Sequence, residues 1–213
     1  MLKKWSYPLY TEGLFSCIMV FMEASAKNYF KMFFKFFLAL FLCLLVRLIP
    51  LRAPNVEPIF ATLMPFSKAY GAVVGFSFAV LSILLFDVVT GTLGAQTFFT
   101  VTAYGMLGLA SAYYFEKRKA EKWAFARFAI FGTLFFDAFT GLTVGPIFFH
   151  QSFVQSLVGQ VPFTALHLAG NITFALVLSP AIYNFLIRKK DLVSISSLKE
   201  KQPLISILNP KAI

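Results

Sequence analysis

The chain has 213 residues, of which 59% are hydrophobic and 13% charged, and its 19 Lys and Arg outnumber its 9 Asp and Glu to give a formal net charge of +10. Soluble domains carry about 25% charged residues, and the apolar residues here form long runs, so composition excludes an ordinary soluble domain and predicts an all-α, polytopic membrane protein. The cations lie in short clusters between the apolar runs. That pattern indicates cytoplasmic loops rather than a nucleic-acid-binding surface.

Residues 1–31 are predicted to form an N-terminal extension. Its apolar stretch, residues 14–22, is short, and no convincing small-residue cleavage site follows, so a signal peptide is not favoured. Two interpretations stay open: an interfacial helix, or sequence upstream of a start at Met32. Cys17 and Cys43 lie inside apolar stretches and predict neither a disulfide framework nor a metal site.

Six apolar segments predict a membrane domain over residues 32–190. The segments are residues 32–49, 58–67, 69–89, 98–115, 123–139 and 161–187. The second is shorter than the roughly 20 residues that cross a bilayer, but only with it do the basic clusters at the N-terminus, at 117–119 and at 188–190 all fall on the cytoplasmic side. We therefore expect six helices, the second one short and packed within the bundle. Both termini are predicted to be cytoplasmic, with residues 141–160 as a long loop and residues 191–213 as a tail.

One motif occurs twice, as FDVVTG at residues 86–91 and as FDAFTG at residues 136–141. With a shift of fifty positions, nine identities fall across residues 78–99, where chance in this composition gives roughly two. Either the chain contains a weak internal repeat, or two helices converge on one type of ending. In the six-helix arrangement each aspartate lies in a last helical turn at the external face, and Gly91 and Gly141 supply the left-handed residue that ends a helix.

These two aspartates need partners. A carboxylate in a last helical turn opposes the helix dipole, and an unpaired carboxylate near the membrane costs kilocalories. Asp87 and Asp137 are therefore predicted to pair with Arg47, Arg52 or loop amides, and His150 is a further candidate. The pairs either fasten the outer ends of the helices together, or at least one aspartate faces a water-filled pocket and holds a polar solute.

A second pattern lies between the first two predicted helices, in RLIPLRAPNVEP. Its elements are Arg47-x-x-Pro50 and Pro54-Asn55-x-x-Pro58, followed later by the helix-terminal Asp87 and by a last helix that opens Val161-Pro162-Phe163 and carries Asn171. This pattern resembles the substrate-binding S components of energy-coupling-factor (ECF) vitamin transporters, in a subgroup whose substrate is not established. The resemblance covers residues 33–188.

The resemblance implies an ECF S-component-like bundle of six helices that binds a small water-soluble vitamin or related micronutrient at the external face of a prokaryotic plasma membrane. S components are not enzymes and use no cofactor; they dock onto a membrane coupling protein driven by two cytoplasmic ATPases. Docking uses small residues four apart on helix 1, which correspond here to Ala39 and Cys43, although such pairs are common in membrane helices. The chain has no P-loop sequence, which agrees with ATP hydrolysis by partner subunits.

Ten residues are candidates for the substrate site on grounds of charge, polarity and position. They are Arg47, Arg52, Asn55, Asp87, Gln96, Tyr104, Asp137, His150, His167 and Asn171. Arginines suit a carboxylate or phosphate. His167 and Asn171 share one helix face, and form either a pocket floor or an interhelical hydrogen bond. Two distant histidines predict no metal site, and residues 147–159 predict a lid or an interfacial segment.

Two other functions stay open. A stand-alone carrier or a scaffold is one, although the predicted repeat is parallel, whereas alternating-access carriers often have inverted repeats. An intramembrane enzyme is the other; two aspartates can form an acid pair, but the chain has no H-E-x-x-H motif and no convincing Ser/His arrangement.

Overall fold

A computed structural model describes the backbone of residues 10–50 and 57–188 and the side chains of residues 28–50 and 57–187. Within these residues all regular structure is helical. The helices are α1 (Tyr10–Leu48), α2 (Ile59–Tyr70), α3 (Ala72–Thr90), α4 (Ala95–Glu116), α5 (Lys122–Phe149) and α6 (Phe153–Ala181), and α6 continues into a π-helical segment, Ile182–Arg188. The chain divides into two units between Phe37 and Leu38, and the helical bundle belongs to the unit that begins at Leu38.

Four described helical segments are long and apolar enough to cross a membrane. They are Asn28–Leu48, Ala72–Thr90, Lys122–Phe149 and Phe153–Ile187. These segments are consistent with a membrane protein, and the predicted all-α class is confirmed for the described residues. Helix α2 has 12 residues, too few to cross a bilayer alone, so six complete spans stay a prediction.

Helix α2 forms the centre of the bundle. Every residue from Ile59 to Ser67 is buried, and α2 packs against α3, α4, α5 and α6. Pro65 has no N–H to donate within the helix, so the carbonyl of Ala61 loses its usual partner. The hydroxyl of Ser179, in α6, donates to that carbonyl at 2.8 Å. The short second helix therefore lies inside the bundle, as predicted, with its missing hydrogen bond supplied by a neighbour.

Two glycines bring α3 and α4 into backbone contact. A Cβ atom on Gly108 would lie 2.5 Å from the carbonyl oxygen of Gly75, and one on Gly75 would lie 2.8 Å from the carbonyl oxygen of Gly108. Real Cβ contacts are not this short, so only glycine allows the crossing. Ser67, in α2, donates to the same Gly108 carbonyl at 3.3 Å. This three-helix junction fixes the directions in which α3 and α4 run toward the site described below.

The structure confirms one of the two predicted helix endings and corrects the other. Helix α3 ends at Gly91, whose φ of 69° is left-handed. Helix α5 runs through Gly141 and ends at Phe149, twelve residues beyond Asp137, where the left-handed His150, with φ 52°, caps it. The predicted long loop over residues 141–160 is therefore wrong: α6 begins at Phe153, after a short turn. The interpretation of the two motifs as one shared helix ending is also wrong, because Asp137 lies well inside its helix.

The connection between α4 and α5, together with the first residue of α5, carries a basic cluster. Its members are Lys117, Arg118, Lys119 and Lys122, and the α2 residue Lys68 donates nearby to the carbonyl of Phe115 at 2.5 Å. The chain reverses at each helix connection, so this basic end lies opposite the end of the bundle where α3 joins α4 and α5 joins α6.

Candidate functional site

A cavity of about 560 Å³ opens at the end of the bundle where α3 joins α4 and α5 joins α6. Its wall combines charged, amide, hydroxyl and aromatic side chains from all the helices except α2, together with one residue just before α2. The lining residues are Arg47, Glu57, Ile83, Asp87, Thr92, Gln96, Thr100, Tyr104, Phe136, Thr140, Gly141, Val144, Gly145, Phe149, Gln151, Gln160, Phe163 and His167.

The spacing of the lining residues along the helices gives the depth of the cavity. On α4 they are Gln96, Thr100 and Tyr104, each one turn below the last, and on α6 they run from Gln160 to His167. Eight residues of helix rise about 12 Å, so the cavity is about two turns deep. Gln96 is exposed and Tyr104 and His167 are buried. We call the buried end, Glu57, Tyr104, Phe136 and His167, the floor, and the exposed end, Thr92, Gln96 and Gln151, the rim.

An ion pair closes one side of the floor. The Nε of Arg47 lies 3.0 Å from Oε2 of Glu57, and both side chains are about 10% exposed. Arg47 Nη1 also donates to the carbonyl of Ser82 at 3.0 Å, and its guanidinium lies over the ring of Phe86, 3.8 Å from the centroid. The hydroxyl of Tyr104 donates to the other oxygen of Glu57. Because a buried charge is costly unless paired and hydrogen-bonded, this set of contacts holds Arg47 in place.

The other side of the floor is a histidine–carboxylate pair. Nδ1 of His167 lies 2.7 Å from Oδ1 of Asp137, and both side chains are 2% exposed. A carboxylate only accepts hydrogen bonds, so the shared hydrogen belongs to Nδ1. The second nitrogen, Nε2, is buried without a hydrogen-bond partner among the described residues. His167 lines the cavity, whereas Asp137 borders a mostly apolar groove between α5 and α6. Asp137 therefore orients the histidine from behind.

These two residues belong to a polar seam between α5 and α6. One turn farther from the cavity, Asn171 Nδ2 donates to Thr133 Oγ1 at 2.9 Å. Toward the rim, a Cβ atom on Gly141 would lie 2.0 Å from the amide nitrogen of Gln160. The seam comprises Thr133, Asp137, Gly141 and Gly145 of α5 and Ser156, Gln160, His167 and Asn171 of α6. Of the two predicted roles for Asn171, the structure places it in an interhelical hydrogen bond.

Asp87 occupies a different environment near the rim. Its side chain is half-buried, and it accepts hydrogen bonds from Thr97 Oγ1 at 2.6 Å and from Thr92 Oγ1 at 3.4 Å. The predicted pairing of Asp87 with Arg47 is not found, since Arg47 pairs with Glu57 instead. Among the described residues, no lysine or arginine forms an ion pair with Asp87.

The remaining predicted site residues fall in several places. Gln96 lines the rim and donates to the carbonyl of Thr92 at 3.2 Å. His150 is exposed in the turn between α5 and α6 and is not among the lining residues. Arg52 and Asn55 lie outside the described residues, as does the predicted tail over 191–213.

The two residues predicted to dock a partner face inward. Ala39 and Cys43 are 6% and 4% exposed, and the thiol of Cys43 donates to Thr62 Oγ1, in α2, at 3.4 Å. Small residues allow close helix contact, and here the Cys43 side chain meets the chain's own second helix. The side of α1 that carries Ala39 and Cys43 is therefore covered within the protein.

Several lining residues were not predicted from the sequence. The polar ones are Glu57, Thr92, Thr100, Thr140 and Gln160. Helical spacing could have identified two of them, because Thr100 is four residues before Tyr104 and Gln160 is seven before His167, which places each pair on one face. No such signal existed for Glu57, which precedes α2 and meets Arg47 only through the folding of the chain.

Comparison of the chain with protein-family models, with curated proteins and with solved structures finds no match. The resemblance to ECF S components therefore depends on the sequence pattern described above. Of the residues in that pattern, Arg47 and Asp87 line the cavity, Asn171 is buried beyond its floor, and Asn55 lies outside the described residues.

Proposed function

We propose that this protein is a solute-binding membrane subunit that captures a small, water-soluble, vitamin-like molecule in the cavity. The observation that carries the proposal is the cavity itself: about 560 Å³, within the range of roughly 300–1,000 Å³ typical of small-molecule sites. Its wall has the expected mixture of aromatic surface and a few fixed polar groups. Because Arg47, Glu57 and His167 already have partners, the floor is arranged before any solute enters, which lowers the cost of binding.

The proposed orientation places the cavity at the external face. The basic cluster between α4 and α5 lies at the opposite end of the bundle, and short basic loops favour the cytoplasm. Cysteine labelling in intact cells tests this orientation. In a variant that lacks Cys17 and Cys43, we expect a membrane-impermeant maleimide to label His150→Cys and not Lys119→Cys. If only the Lys119→Cys variant is labelled, the orientation is the reverse of the one proposed.

We propose further that transport requires partners, namely a membrane coupling protein and two cytoplasmic ATPases. The support is the resemblance to ECF S components together with the absence of a P-loop sequence in this chain. Purification under mild conditions should recover a membrane protein and P-loop ATPases in fixed proportion with this chain. Solute uptake by cells that contain this protein but no such partners would contradict this part of the proposal and favour a stand-alone carrier.

The binding step has a test that needs no knowledge of the solute. Native mass spectrometry of the purified full chain should detect a retained small molecule. Thr100→Phe adds a ring inside the cavity and should abolish retention. Thr102→Phe is the matched control: both threonines bond to the backbone of α4, but only Thr100 lines the cavity. Equal retention by both variants would show that the solute binds elsewhere.

Asp87 is the cavity residue whose removal should separate binding from folding. It is half-buried near the rim, so Asp87→Ala should remove solute binding while the protein keeps its helical content and its elution volume. If this variant binds the solute as tightly as the unmodified protein, Asp87 is not part of the binding site.

A further inference from the structure

The hydrogen-bonding groups of the cavity wall point to the chemical class of the solute. Each hydroxyl group among the lining residues already donates its hydrogen. Thr100 donates to the carbonyl of Thr97 at 3.0 Å, Thr140 to that of Phe136 at 2.8 Å, and Tyr104 to Glu57. Because the Thr90 hydroxyl donates to the carbonyl of Phe86, the Thr92 hydroxyl donates either to Thr90 Oγ1 at 2.8 Å or to Asp87 at 3.4 Å. A hydroxyl has one hydrogen and two lone pairs. These four groups can therefore only accept further hydrogen bonds.

Other acceptors in the wall are unused. In the neutral imidazole, with its hydrogen on Nδ1 facing Asp137, His167 presents the Nε2 lone pair, and that atom is buried without a partner among the described residues. Gln160 Oε1 is likewise buried and unpartnered within the described part of the chain. The strongest donor, Arg47, is held by an ion pair: its Nε faces Glu57 at 3.0 Å without hydrogen-bond geometry, and its Nη1 donates to the carbonyl of Ser82. The amide groups of Gln96, Gln151 and Gln160 can still donate, but the buried atoms left for a solute deeper in the wall, His167 Nε2 and Gln160 Oε1, are acceptors.

The charges in the wall also favour a solute that donates hydrogen bonds. Arg47 and Glu57 cancel each other at the floor, and the pair of His167 and Asp137 contributes no net positive charge. Asp87 near the rim is held only by hydroxyls, with no ion pair to a described lysine or arginine. The cavity formed by the described residues is therefore net negative.

We propose that the solute is a small organic cation that carries N–H donors, such as an ammonium or amidinium group on a ring-containing body. The cationic group binds Asp87, and the body lies against the rings of Phe136, Phe149 and Phe163. A second N–H of the solute donates to Nε2 of His167, with Asp137 as the positioning residue behind it. This inference rests on the proposed solute-binding function and specifies what that function selects.

Three probes of nearly equal shape test the charge and the donor count together. Benzamidine is a cation with N–H donors at neutral pH, benzamide is neutral, and benzoate is an anion with acceptors only. Binding of each to the purified full chain is measured by ligand-observed NMR up to millimolar concentrations. We expect benzamidine to bind at least tenfold more tightly than benzamide, and benzoate to bind least.

Two variants test whether Asp87 causes the preference for benzamidine over benzamide. Asp87→Asn keeps the shape of the side chain but removes its charge, and should weaken benzamidine binding about tenfold with little effect on benzamide. Glu116→Gln removes the same charge from an exposed residue that does not line the cavity, and should change neither affinity. Equal loss in both variants would overturn the assignment, since it would reflect the overall charge of the protein.

The outcomes separate this inference from the function on which it rests. Tighter binding of benzoate than of benzamidine, lost in Thr100→Phe, would overturn the cation proposal and leave solute binding intact. An anionic molecule retained in native mass spectra would do the same. Absence of binding by all three probes would overturn the cation proposal, and together with mass spectra empty of retained molecules it would overturn solute binding as well.

Discussion

The two copies of the aspartate motif share their sequence but not their structural role. In FDVVTG, residues 86–91, the helix ends at Gly91 and Asp87 lies half-buried near the cavity rim. In FDAFTG, residues 136–141, the helix continues and Asp137 is 2% exposed, paired with His167. The same six-residue pattern thus gives a half-buried carboxylate in the cavity wall in one case and a fully buried one behind a histidine in the other.

The difference comes from what each glycine contributes. Gly91 adopts a left-handed φ of 69°, and the N–H of Thr92 then bonds back to the carbonyl of Asp87 at 2.9 Å, which is the bond that closes a Schellman ending. Gly141 stays helical, and its missing Cβ leaves space for the side chain of Gln160. One glycine is used for its backbone conformation and the other for its small size, and only the neighbouring helix distinguishes the two.

The largest effect is expected from removing the buried carboxylate. Asp137→Ala leaves Nδ1 of His167 buried without its partner, and breaking a buried pair on one side costs about 3 kcal/mol. Asp87→Ala should cost less than about 1 kcal/mol, since its partners are hydroxyls near the rim that water can satisfy. Unfolding of the two variants in the same detergent measures the difference. Similar losses of stability would mean that the two aspartates are energetically equivalent after all.

The next largest difference in stability is expected between substitutions of the two motif glycines. Gly91→Ala forces a left-handed conformation on alanine and should destabilise the protein by about 1 kcal/mol. Gly141→Ala stays helical, where alanine is favoured over glycine by about the same amount, and the overlap falls on the mobile end of Gln160. We expect a smaller loss, or none, in the second variant by thermal unfolding. A larger loss at Gly141 than at Gly91 would show that Gln160 cannot move aside.

A double-mutant cycle measures the coupling energy of the hydrogen bond between Asn171 and Thr133, in the polar seam beyond Asp137. Asn171→Leu and Thr133→Val each leave a buried partner unsatisfied, and should destabilise the protein by about 1 kcal/mol. Because both remove the same hydrogen bond, the double variant should lose less than the sum, with a coupling of about 0.6 kcal/mol. Additive losses would indicate that the 2.9 Å contact contributes no coupling energy.

The smallest change in stability is expected near the rim. Thr97→Val removes the 2.6 Å hydrogen bond to Asp87 and the hydroxyl that accepts from the Gly94 N–H at 3.1 Å, but keeps the shape of the side chain, and should change the free energy of unfolding by about 1 kcal/mol or less. Its effect should instead be on binding, because Asp87 loses the contact that orients it, and the affinity for benzamidine should fall several-fold. Thr102→Val, outside the cavity, is the control. If both variants bind equally well, Thr97 does not position Asp87.

Local sequence was enough to predict a large part of the fold. The five longer helices follow from apolar runs, and the short second helix follows from the prolines around it and from the positions of the basic clusters. The left-handed Gly91 and the shared face of His167 and Asn171 also follow from local rules of helix geometry. The length of α5 did not, because the glycine and proline in its last turns are signals of a helix end that packing against α6 overrides.

The sequence itself determined the membrane class, the helix order and the presence of polar residues near one end of the bundle. Each of these follows from hydropathy and helical periodicity, which depend only on residues close together in the chain. The tertiary structure alone decided that Arg47 pairs with Glu57 rather than Asp87, that Asp137 lies behind His167, and that Cys43 contacts α2. Each of these pairings joins residues on separate helices. Their distances depend on how the helices pack, and no local pattern in the chain specifies that packing.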